Sequence, residues 1–199
     1  MRNLTLFLIF IVTSVLFSSC KAIMMKINGV TQPKFVTEEQ TVSFLKKKGI
    51  EENGNLFVCK DSASIFRLIK MVQALPETNF FNPKGDLFVY GDSICPGLAM
   101  TFAKSLNRTT LTMIDSSYKS EDIMALVKPV SKTPSLRISD YDYMVVFYWA
   151  MFVGTINNNV FEIAAELKKN SSMKILIVYV NVDFLKSWGM KEIPNFNLK

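Results

Sequence analysis

Two stretches decide the fold: Met144-Val145-Val146-Phe147-Tyr148-Trp149-Ala150 and Ile175-Leu176-Ile177-Val178-Tyr179-Val180-Asn181-Val182. Neither alternates apolar with polar residues. Both faces are apolar, as in central strands covered on each side by other elements. Between them Val160, Ile163, Ala164 and Leu167 recur at helical spacing. Strand, amphipathic helix and strand make a βαβ unit, with parallel strands and a right-handed crossover.

Working back towards the N-terminus, Asn82-Pro83-Lys84-Gly85 carries Asn at i, Pro at i+1 and Gly at i+3, the preference of a type I turn. It predicts a hairpin with arms Thr78–Phe81 and Leu87–Tyr90. Thr37-Glu38-Glu39-Gln40 is a capping box, and a helix with Val42 and Leu45 on one face follows it, stopped at Gly49. Leu56–Cys59 reads as a short strand. Asp61 or Ser62 caps a second helix with Ile65, Phe66, Ile69 and Val72, ended by Pro76. A helix with Leu98, Phe102 and Leu106 on one side comes next, then a strand over Thr109–Ile114. Ser120 caps a short helix reaching Val127, and Lys128–Ser139, with Pro129 and Pro134, reads as a loop.

The chain has 199 residues, 20% of them charged, with a formal net charge of +6. Lysines Lys46–Lys48 and Lys168–Lys169 end predicted helices, where cations complement the dipole. No aromatic–basic stripe is present, so nucleic acid is not an expected partner. Histidine is absent, which excludes a Ser-His-Asp triad, a Cys-His pair and His-ligated zinc. Three cysteines, Cys20, Cys59 and Cys95, cannot make a four-cysteine zinc site. No metal and no cofactor is expected.

Residues 1–19 read as a removable signal. Arg2 gives a positive start and Leu4–Phe17 is an apolar run broken only by Thr5, Thr13 and Ser14. As a helix the run spans about 21 Å, short for a hydrocarbon core of about 30 Å. Leu16-Phe17-Ser18-Ser19-Cys20 resembles the lipobox of bacterial lipoproteins, with Phe17 where Leu is usual. That resemblance implies cleavage before Cys20, acylation of that residue and attachment to a membrane, firm with two or three acyl chains. Lys21, in place of Asp, points to the outer membrane of a Gram-negative envelope by the same resemblance. Residues 20–34 have no clear period and read as a tether, leaving 35–199 as the domain.

Val145–Ala150 also resembles the strand that enters a thioredoxin active site, where an aromatic-Trp-Ala run precedes Cys-x-x-Cys at a helix N-terminus. The aligned loop here is Val153-Gly154-Thr155-Ile156, with aliphatic residues at both cysteine positions. Ile175–Asp183 is similar to the strand that follows. Leu75-Pro76-Glu77-Thr78 with its hairpin resembles the cis-proline strand, which comes after the active site in that family and before it here. The resemblance implies a thioredoxin-like three-layer α/β sandwich with a central mixed sheet, circularly rearranged, and a cis Pro76 beside loop 153–156. The competing reading is that the hairpin only looks similar. The implied function is a redox-inactive domain that binds a peptide or protein partner. The alternative is an envelope thiol-disulfide oxidoreductase using Cys59 and Cys95. Those two cysteines admit three states: a disulfide contributing roughly 3–4 kcal/mol, a reactive Cys95 before a helix, or two unpaired thiols.

Overall fold

In a computed structural model, residues 24–51, 53–72, 74–89, 96–106, 113–131 and 137–194 are described. In chain order they form β1 (Phe35–Val36), α1 (Glu38–Lys47), β2 (Leu56–Cys59), α2 (Ser62–Met71), β3 (Glu77–Phe81), β4 (Asp86–Val89) and α3 (Pro96–Ser105). The second half supplies β5 (Met113–Lys119), α4 (Ser120–Leu126), β6 (Val127–Pro129), β7 (Tyr143–Trp149), α5 (Asn158–Leu167), β8 (Ile175–Asn181) and β9 (Phe184–Leu185). Seven strands share one mixed sheet in the order β5-β4-β3-β7-β8-β2-β6. β7, β8 and β2 are parallel, while β3, β4 and β5 on one flank and β6 on the other run antiparallel to their neighbours.

The period-2 geometry of β7 explains its unbroken apolar sequence. Tyr143, Val145, Phe147 and Trp149 face one core with Leu45 of α1, Phe102 of α3 and Ile163 of α5. Met144, Val146 and Tyr148 face the other with Ile65 and Leu68 of α2 and Ile123 of α4. Helices thus cover both sides of a mixed sheet, as the sequence implies. Trp149 is fully buried and stacks on Phe44, ring centroids 5.2 Å apart. Each helix start has its own chemistry. Thr37 Oγ1 accepts from Gln40 N–H while Gln40 Oε1 accepts from Thr37 N–H, closing the box at 3.3 and 2.8 Å. Asp61, not Ser62, caps α2 by accepting from Ser64 N–H at 2.7 Å. The hairpin turn is as predicted: Gly85 N–H donates to Asn82 O, and Gly85 takes φ 81°.

Several expectations change. The strand expected at Thr109–Ile114 runs Met113–Lys119 in the described residues, and 107–112 lie outside them. Ser120 is the first residue of α4 rather than its cap. Its N–H donates to Gly85 O, while Asp122 reaches back to accept from Lys119 N–H. The helix predicted to reach Val127 stops at Leu126, and Val127 opens β6, an edge strand that runs into the predicted loop and ends on Pro129; a proline is tolerated at an edge because no further strand needs its missing N–H. Leu98 is 39% exposed. α3 instead turns Ala99 and Ala103 inward with Phe102, because small residues let it lie close to the sheet. α2 ends at Met71, before Pro76.

The segment read as a tether is docked where it is described. Residues 24–27 form one helical turn, and Thr31 N–H donates to Phe152 O at 2.8 Å. β1 then pairs in parallel with β9, apart from the main sheet.

Candidate functional site

The candidate site is the turn that joins β7 to α5. Residues 151–157 wind as tight 3-10 turns interrupted at Gly154, whose φ 66° and ψ −135° suit glycine alone. Asn157 is fully buried and staples the turn: its Nδ2 donates to Ala150 O at 2.8 Å and to Gly154 O at 3.0 Å, and its Oδ1 accepts from Ala150 N–H. On the other side, Asp183 Oδ2 accepts from Met151 N–H and from Asn181 Nδ2, each at 2.7 Å. Asp183 is buried, and loss of water raises its carboxyl from 3.8 to about 6 despite those donors.

The four residues aligned with the redox loop are all described. Val153 is buried with Ala150 and Phe152, while Ile156 packs on that cluster. Thr155 is exposed, and its N–H donates to Asn28 O at 2.8 Å; its Oγ1 also donates to Asn28 O at 3.1 Å. Asn28 and Gly29 lie so close over Gly154 that a Cβ there would fall on Asn28 O and within 2.7 Å of Gly29 C and O. The chain's own residues 28–31 therefore cover this turn.

Pro76 follows a cis Leu75–Pro76 bond, and Leu75 packs on the Ala150–Val153 cluster. Pro76, Glu77, Pro96, Asn159 and Val160 line a crevice of only about 10 Å³, room for one water at most. A larger cavity of about 190 Å³ lies across the turn, between Thr31, Gln32, Lys34 and Val36 on one wall and Met151, Phe152 and Asp183 on the other.

Cys59 is buried on β2 and carries a free thiol. Burial pushes that thiol up to about 12, with the nearby Asp61 charge adding to the shift, so it is protonated and unreactive at neutral pH. Cys95, the partner considered for it, lies outside the described residues, as does Cys20 with the segment read as a signal. Pro96, next after Cys95, opens a helix on the face of the sheet opposite Cys59. Among the described residues no cluster of acidic and cysteine side chains could hold a metal, and no helix is long and apolar enough to cross a membrane.

Asn157, Asp183 and the Asn28 contact escape the sequence reading. The triplet Asn157-Asn158-Asn159 just before an apolar helical stripe was the one available signal, since buried asparagines are usually there to satisfy backbone groups. Against protein-family models, curated proteins and solved structures, the chain finds no match.

Proposed function

We propose that this chain is an exported lipoprotein, cleaved before Cys20 and held by acyl chains on that residue at the outer membrane of a Gram-negative envelope. Its domain is a thioredoxin-like fold in rearranged order that has no redox chemistry and binds a peptide or protein partner. Support for the fold comes from adjacency: the aromatic-Trp-Ala strand, the parallel strand after it and the proline hairpin are neighbours in one sheet. The inert, buried Cys59 thiol weighs against the oxidoreductase alternative.

One observation carries the binding reading. Residues 28–31 lie along the turn as a bound peptide does, held by main-chain bonds from Thr31 N–H to Phe152 O and from Thr155 N–H to Asn28 O. Backbone pairing of this kind needs no thiol and accepts varied sequences. The 190 Å³ cavity beside it is large enough for a side chain of such a peptide.

Two measurements test the reading. Metabolic labelling with a fatty acid is expected to mark the wild-type chain and to leave Cys20→Ala unmarked. Purified protein is expected to show no insulin reduction. Insulin reduction that disappears in Cys95→Ser would overturn the redox-inactive assignment.

A further inference from the structure

We infer that the helical turn Met24–Ile27 is a membrane-contact foot that seats the domain, loop side down, on the lipid surface that holds its anchor. Six large apolar side chains are exposed among the described residues, and three of them fall in this one turn: Met24 at 58%, Met25 at 38% and Ile27 at 71%. The turn is not a loose end. Asn28 N–H and Nδ2 both donate to Met24 O, Gly29 N–H to Lys26 O and Val30 N–H to Met25 O. The next residues are locked onto the 151–157 turn through Thr155 and Phe152. The apolar side chains are thus presented at a fixed place, with more than half of Met24 and Ile27 open to the surroundings.

The occupant follows from chain length and charge. Cys20 stands four residues before Met24, and four extended residues reach at most about 14 Å. An acylated Cys20 therefore holds this turn within about 14 Å of the lipid surface, and to that extent the inference rests on the proposed anchor. Lys21 and Lys26 flank and interrupt the apolar residues. Apolar side chains entering the acyl boundary with lysines at the headgroups is the usual chemistry of interfacial segments. A protein partner explains the apolar surface equally well but not its position beside the anchor.

The test uses the full chain, processed in cells, purified and reconstituted into phosphatidylethanolamine–phosphatidylglycerol vesicles with brominated acyl chains. A fluorescent label is placed on Ile27→Cys, or on Ser171→Cys, an exposed site before β8 at the opposite end of the sheet. Bromolipid is expected to reduce Ile27→Cys fluorescence about twofold and to leave Ser171→Cys unchanged, since quenching needs near contact with the acyl region. An acylated chain with neither site quenched overturns the foot and leaves the anchor standing. Quenching at both sites overturns the orientation. Absence of acyl label on Cys20 overturns the anchor and the foot together.

Discussion

Gly154→Ala is the substitution that separates a docked N-terminal segment from a merely nearby one. Two costs meet at this residue. Its backbone occupies a region reserved for glycine, and forcing another residue there costs about 1–3 kcal/mol. The new Cβ also collides with backbone atoms of Asn28 and Gly29, which cannot yield as a side-chain tip can. The cheapest relief is to lift residues 28–31 off the turn. That forfeits the Thr155–Asn28 and Thr31–Phe152 hydrogen bonds, each about 0.5–1.5 kcal/mol net. Gly49→Ala is the control, because Gly49 has φ 72° with nothing within 4 Å of a new Cβ. It pays only the left-handed penalty of about 1–2 kcal/mol. Urea denaturation is expected to give a loss of about 3 kcal/mol for Gly154→Ala and about 1 kcal/mol for Gly49→Ala. Trypsin cleavage after Lys26 and Lys34 reads the segment directly. Every 1.4 kcal/mol of lost docking raises the open population about tenfold, so Gly154→Ala is expected to be clipped there at least about tenfold faster than the wild type. Equal clipping of the two alanine variants would refute the docking argument.

Asp183 makes stability depend on pH. Its folded carboxyl is raised above the ordinary value, so the folded state holds the proton more tightly than the unfolded chain. The contribution of Asp183 is then fully present below about pH 4 and is lost as pH rises through about 6, by about 3 kcal/mol; Asp183→Asn is expected to remove that component of the urea-midpoint profile. Asn157→Ala strips the turn of its staple: Gly154 O loses its Nδ2 donor, the buried Ala150 N–H loses its Oδ1 acceptor, and Ala150 O keeps Val153 N–H. A loss of about 2–4 kcal/mol in urea is expected, and a change below about 0.5 kcal/mol would contradict the role given to that side chain.

What could be read in advance was whatever short-range chemistry decides. The box at Thr37 and Gln40, the Asn82–Gly85 turn and the doubly buried β7 and β8 each follow from residues close in sequence. The long-range features did not follow. β6 is three residues ending on a proline, and only the edge of β2 makes it a strand. The face of α3 shifted because alanines and leucines fit the same helical period, and proximity to the sheet chose the alanines. The candidate turn was located by its aromatic-Trp-Ala approach. Its cover by Asn28, 127 positions upstream of Thr155, has no local signature.

The pairing of β1 with β9 has a kinetic consequence. Among the described residues Phe35 and Val36 find their strand partners in Phe184 and Leu185. Contacts between residues so far apart in sequence form late, since the intervening chain must first be brought together. During synthesis β1 thus waits, unpaired, until residues 184 and 185 have been made. Whatever must act on β1 in its extended state has that interval in which to do so.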